Sequence, residues 1–401
     1  MRHCWVLLCT ASSTVSKDSV APERQKRVRK LRRSLLAAVC VPVVAITVSV
    51  GGYVSRSQES LSATLATWAR DHGLGGVVDE LEQLRYGSPP SAGPASELGT
   101  LESGSSVSTQ LPTATTTTTV PLPPPLEPRV TPALKKEGVW EVARVVDGRP
   151  AIWVSGIRPL KSSPSVTATY ALVDQDLTYA AMWNGPEIPG KSGFSRYKAV
   201  SPDLHPYLLA AFNGGFRKEH TQGGYLTEGR EVWKMDSRAA TLGIDTEGRI
   251  HIGLLGAGVE LSEMVSVRQN VRLLVKESKS VVGGKLYGYG SSHDRNLYIV
   301  RSAVCEREDG KLLFAVVGPV DAEQLAVALV RAGCVTAMQL DVNAAWPKFS
   351  IYDPATPEPH TRWIDKRITG PSDMFLRSAP KDFFALFDRT SLPADLVEKL
   401  K

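Results

Sequence analysis

The chain has 401 residues, 42% hydrophobic and 22% charged, the composition of a globular protein with a core of its own. Its net charge of +6 is an end effect: residues 1–34 hold nine Lys/Arg against two acids, and the remainder holds 38 against 39. A near-neutral remainder offers no basic face for a nucleic acid, so no nucleic-acid partner is expected.

Residues 1–34 read as a basic tail, with seven Lys/Arg in the ten positions 24–33. Directly behind comes Leu35–Val54, twenty residues without a charge. At about 1.5 Å rise per residue, such a helix spans about 30 Å, the hydrocarbon thickness of a bilayer. Positive charge crowds its N-terminal flank, so the tail is expected in the cytoplasm and everything after residue 55 outside it. No small-x-small cleavage site follows, and the segment is read as an uncleaved single-pass plasma-membrane anchor.

Residues 55–86 carry Leu61, Leu65 and Trp68, then Val77, Val78, Leu81 and Leu84, at three- and four-residue spacings broken by Gly73–Gly76. This predicts one or two short juxtamembrane helices, a stalk or a self-association segment. Residues 87–136 are rich in Pro, Thr, Ser and Gly, with a threonine homopolymer at 115–119. They are expected to be a disordered, extended linker.

Residues 137–401 read as one α+β domain, mixed and strand-rich with few helices. Short β-rich runs at 140–146, 151–154 and 166–174 open it. Hairpins are predicted at 240–254 and 297–317, with one apolar run at 267–275 between them. The clearest helix is 321–332, with Asp321 as N-cap and Gly333 as its stop, and a buried strand at 335–340 leads to Asp341. Of five cysteines only Cys305 and Cys334 fall in this domain. Outside the cell they could pair; two buried thiols are the alternative. No Cys/His ligand spacing exists, so no metal site is expected.

Polar residues stand at the ends of several apolar runs. Leu208–Phe212 leads into Asn213-Gly214-Gly215-Phe216, with His220 close behind. Such a strand end can hold a sugar or anionic oxygen through bare backbone N–H groups, or be a plain Gly-Gly turn reached through positive φ. Arg268-Gln269-Asn270 follows a second run. Arg301 sits within apolar Leu297–Val304, where its fork suits a phosphate or an internal ion pair. Asp341 and Asn343, two apart on a strand, would share a face able to hold a hydroxyl, orient a nucleophile or bind a hard cation, or form an Asx turn.

These stretches, in this order, resemble the phosphodiester glycosidase family over about 140–380. The resemblance implies a mixed α/β domain that hydrolyses a sugar-1-phosphodiester. It further implies Asp341 as acid, base or nucleophile, Arg301 on the phosphate, and Gly214 and Gly215 as N–H donors. Asn213, Asn270 and Asn343 would orient hydroxyls or water, beside Phe216 and His220. No cofactor is called for, although a Ca²⁺ or Mg²⁺ beside Asp341 is chemically compatible. One departure stands out: the family's Leu-Asp-Gly-Gly-Gly-Ser is here Leu340-Asp341-Val342-Asn343-Ala344-Ala345. Two readings follow, an anchored hydrolase acting on an envelope glycan or glycolipid phosphodiester, and a non-catalytic phosphoglycan-binding protein of the same fold.

Overall fold

The computed structural model describes residues 47–52, 54, 61–100, 122–190, 192–283, 296–342, 346–353 and 360–401. The chain divides into two units, Met1–Ser57 and Gln58–Lys401. In the first, residues 47–52 and 54 are helical. The basic tail and most of the predicted Leu35–Val54 anchor lie outside the described residues. Among those described, no helix is long and apolar enough to cross a membrane.

The second unit begins with two helices, α1 (Leu61–Asp71) and α2 (Gly75–Tyr86). Gly73, at φ +80°, makes the break between them, as its place in the apolar spacing predicts. Arg70 of α1 bridges to α2 through Asp79 at 3.2 Å and Glu82 at 2.7 Å. The Pro/Thr/Ser-rich stretch departs from the expected linker at both its ends. Thr100 bridges to Asp365, and Lys366 N–H donates to the Gly99 carbonyl at 2.8 Å. Beyond residue 121, Leu126 N–H donates to Gly138, and the carbonyls of Val130 and Pro132 accept from the Arg158 guanidinium. Composition hid this, because the bonds use backbone groups that any residue carries.

Three sheets make the body of the unit, and apart from Gly258–Val259 beside Ile250–Leu255 their pairings are antiparallel. The eight-stranded sheet runs, edge to edge, Glu141–Val146, Arg149–Ile157, Thr167–Val173, Leu312–Val320, Ile299–Arg307, Cys334–Val342, Leu273–Lys276 and Lys279–Ser280. The five-stranded sheet runs His360–Trp363, Phe349–Asp353, Leu208–Asn213, Phe383–Asp388 and Thr178–Trp183. The six-stranded sheet holds Met264–Gln269 between Thr241–Asp245 and Tyr225–Thr227. Strand richness with few helices is the predicted α+β arrangement.

Both faces of the eight-stranded sheet are buried, and side-chain alternation sorts them. Phe314 and Val316 point into the main core, where Phe314 meets Phe212 and Phe349 of the five-stranded sheet with ring centroids 5.4 and 5.1 Å apart. Leu313, Ala315 and Val317 face the other way, toward helix α3 (Ala322–Arg331) and its Leu325 and Leu329. The Asp321 carboxylate caps α3 by accepting from Gln324 N–H at 2.8 Å, and Gly333 at φ +85° ends it. Cys305 and Cys334, on adjacent strands, form a disulfide with Cα atoms 5.6 Å apart.

One predicted element is split. The run 267–275 is two strands in two sheets, Met264–Gln269 and Leu273–Lys276, with Asn270 at the crossing. Hydropathy cannot separate them, since both halves are buried. The Asn270 amide makes the crossing possible by bonding backbone on either side of it.

Candidate active site

Asn213 ends the middle strand of the five-stranded sheet, opposite Phe383. Its side chain is buried and fully engaged. Its Oδ1 accepts from Lys348 N–H at 2.9 Å, while Nδ2 donates to the Gly214 carbonyl at 2.8 Å and to Ser302 Oγ at 3.0 Å. Ser302 in turn takes the Asp341 N–H at 3.1 Å, so one hydroxyl joins the end of the Asn213 strand to Asp341. Two predicted site residues, Asn213 and Asp341, are thereby brought together.

The glycines serve a different purpose from the one expected. Neither Gly214 nor Gly215 takes positive φ. They are glycine because of close approach: a Cβ on Gly214 would lie 2.2 Å from Asp382 Oδ2, and one on Gly215 would lie 3.1 Å from Asn270 Cγ. Gly214 N–H is spent on the Asp382 carbonyl at 2.9 Å, and the Gly215 amide bonds the Asp382 carboxylate. These N–H groups serve the fold, so the expected donors to a substrate anion are already occupied.

Beneath the glycines lies an ion pair with both side chains fully buried, Arg268 Nε to Asp382 Oδ2 at 2.8 Å. The Arg268 guanidinium also donates to the carbonyls of Phe216 and Gln269, and it lies 5.0 Å from the centre of the Trp233 ring. Burial pushes the Asp382 carboxyl up, against the pull of Arg268. Asn270 ties three segments together. Its Oδ1 accepts from Phe216 N–H at 3.1 Å, and its Nδ2 donates to the carbonyls of Gln339 and Leu340, each at 2.7 Å.

Arg301 is not among the described residues that line the cleft. Fully buried, it directs its fork at the carbonyls of Val320 and Leu297 and at Gln339 Oε1, all within 2.8–2.9 Å. Its fork suits a phosphate or an internal ion pair; the partners described for it are uncharged oxygens inside the domain. Asn343 lies outside the described residues.

Asp341 lines open space, as do Phe216 and His220 among the predicted residues. It is 5% exposed at the end of its strand, with Oδ1 accepting from Val342 N–H at 2.8 Å and Oδ2 3.2 Å from Lys381 Nζ. Burial raises its carboxyl above the ordinary value, and the Lys381 ammonium works against that rise. Lys381 also lies over the Trp346 ring, 3.3 Å from its centre. Asp341, Lys381 and Trp346 line an open cleft together with Phe216, Arg217 and His220. Thr67, Arg70 and Glu82 of the helical pair line the same cleft. Asp341 also borders a smaller pocket with Asn213, Gly214, Lys348 and Asp382.

Lys381, Asp382 and Trp346 escaped sequence reasoning, whereas Ser302 stands beside Arg301 in one of the polar stretches. A weak signal existed for two of them, a Lys-Asp pair immediately before the apolar Phe383–Phe387 run. Among the described residues no cluster of three or more His, Cys, Asp or Glu side chains is placed to hold a metal ion. A cation at Asp341 would face the Lys381 ammonium.

Comparison with known proteins bears on this geometry. No curated protein matches the chain. Solved structures similar to it include the zebrafish N-acetylglucosamine-1-phosphodiester alpha-N-acetylglucosaminidase catalytic domain, auto-inhibited by its pro-peptide. It is 15% identical over 61% of this chain and 86% of that one, with a TM-score of 0.39. A hypothetical protein from Synechocystis is 10% identical over 61% and 64% of the two chains, with a TM-score of 0.43. A putative exported protein from Burkholderia pseudomallei is 9% identical over 57% and 75%, with a TM-score of 0.31. It is on residues 207–341, from the head of the Asn213 strand to Asp341 itself, that the chain matches the phosphodiester glycosidase family.

Proposed function

We propose that the protein is a membrane-anchored, extracytoplasmic hydrolase that cleaves a sugar-1-phosphodiester in an envelope glycan or glycolipid. The observation that carries this reading is the Asp341–Lys381 pair on the cleft floor, at the end of the family-matched segment. Breaking the bond from sugar C1 to the phosphate oxygen leaves an oxocarbenium-like centre, and a carboxylate on that face stabilises or attacks it. Lys381 opposes the protonation that burial favours, and its charge sits where a phosphate would leave. A phosphate monoester is a weak base, so departure needs little acid help; water then completes the sugar C1 hydroxyl.

The anchor reading rests on the charge-free run and its basic flank. The Cys305–Cys334 disulfide supports an oxidising compartment outside the cytoplasm. Purified full-length chain should release free sugar from a sugar-1-phosphodiester panel, and Asp341→Asn should abolish release, a loss of about a thousand-fold or more. Absence of turnover on the panel and on envelope extract would sink the catalytic reading.

The second reading, a phosphoglycan-binding protein without catalysis, draws on the engaged Gly214 and Gly215 amides, the internal Arg301 fork and Val342 in place of the family's glycine. It expects glycan binding that survives Asp341→Asn, with no product formed.

A further inference from the structure

The second helix of the pair buries Val78 but turns its other aliphatic residues to solvent. Its polar residues Asp79 and Glu82 turn inward to Arg70, while Leu74, at the N-cap, and Val77, Leu81 and Leu84 are 46%, 58%, 60% and 81% exposed. A surface helix of a globular protein normally does the reverse. The four exposed residues follow one another at spacings of three, four and three, the a/d repeat of a coiled-coil seam rather than the broad face of a core-packed helix. Leu61 and Leu65 of α1 are exposed as well, at 61% and 38%.

We propose that this seam is an interface with a second copy of the same chain, the two α2 helices lying parallel about a two-fold axis. Charge selects both occupant and direction. With Leu81 at an a position, Glu80 is a g residue and Arg85 an e residue. In a parallel pair each Glu80 faces the second copy's Arg85, five positions further on, and the contact occurs twice. An antiparallel pair sets like charges opposite one another. A bilayer surface is a poorer occupant, because α2 carries Asp79, Glu80 and Glu82 against Arg85 alone, and acid excess is repelled by anionic lipid. Parallel alignment also suits two chains that leave one membrane side by side. The helix is only 12 residues long, so the association is concentration-dependent and is favoured where an anchor confines both copies.

The test uses the full-length chain in detergent or nanodiscs, with Cys4, Cys9 and Cys40 replaced by Ser, and is independent of any activity. Under mild oxidation Leu81→Cys and Leu84→Cys should cross-link into dimers, while Gln83→Cys should not. Leu81→Glu should raise the dimer dissociation constant about ten-fold or more by sedimentation, with an unchanged melting curve because the side chain is exposed in one copy. Glu80→Arg should weaken the dimer, and adding Arg85→Glu should restore it. A chain that stays monomeric at every concentration, or equal cross-linking at 81, 83 and 84, overturns the proposal.

Discussion

Gly214 is fixed by the carboxylate packed against it. The Arg268–Asp382 pair is taken wholly out of water, and it repays that only while each ion keeps its partner. A methyl group on Gly214 drives into Asp382 and separates the pair. Gly214→Ala should therefore cost about 3 kcal/mol or more, read as a lower urea midpoint, whereas an unchanged midpoint would mean the carboxylate can move aside. Asn213 and Asp341 were legible as candidates because each is a polar side chain at the end of a buried apolar run. Lys381 and Asp382 were not, because what places them is the pairing of Phe383 with Asn213, 170 positions apart in the chain. Arg301 shows the converse, since an arginine in an apolar run announces burial and leaves its partners unstated.

At the scale of elements, one carboxylate links two sheets. Asp365, just beyond the His360–Trp363 strand, accepts from Thr169 of the eight-stranded sheet and from the Arg367 guanidinium. Arg367 continues to the carbonyls of Thr167 and Gly318 in that same sheet. Burial alone would raise the Asp365 carboxyl, but Arg367 and Thr169 outweigh it and hold the group below its ordinary value. A depressed carboxyl contributes stability that is present above its unfolded value of about 4 and is lost as pH falls through the folded value. Unfolding free energy should thus decline on acidification below about pH 4, and Asp365→Asn should flatten that decline. An equal slope in both proteins would remove Asp365 from the account. The hairpins and α3 were readable in advance because turns and caps are local. The division of 267–275 between two sheets was not, because the sheet a strand joins is decided by distant partners.

For the whole molecule, the Cys305–Cys334 bond closes a loop of 29 residues that contains α3 and the strand before it. Loop closure on this scale contributes about 3–4 kcal/mol through the unfolded chain. Replacing both cysteines with Ser should lower the melting temperature by several degrees, about 1 kcal/mol corresponding to a few degrees in a domain of this size. A melting temperature unaffected by the change would show that the sheet alone holds these strands. The attachment of residues 87–100 and 122–136 to the domain was not visible in composition, because it runs through backbone groups.

The Leu208–Asn213 strand is flanked on both sides, by Phe349–Asp353 and by Phe383–Asp388. Its amides meet solvent only when the sheet itself comes apart, which puts Asn213 and Gly214 among the slowest-exchanging parts of the molecule. The opposite side of the cleft is held differently. There α1 reaches Arg217 through Asp71 at 3.1 Å, an ion pair of partly exposed side chains, and the Tyr86 carbonyl of α2 accepts from Tyr298 N–H at 2.8 Å. Side-chain contacts that solvent reaches yield more readily than a strand held between two others. Substrates of different girth would be accommodated on the helical side, while the geometry around Asn213 keeps its form for as long as the chain stays folded.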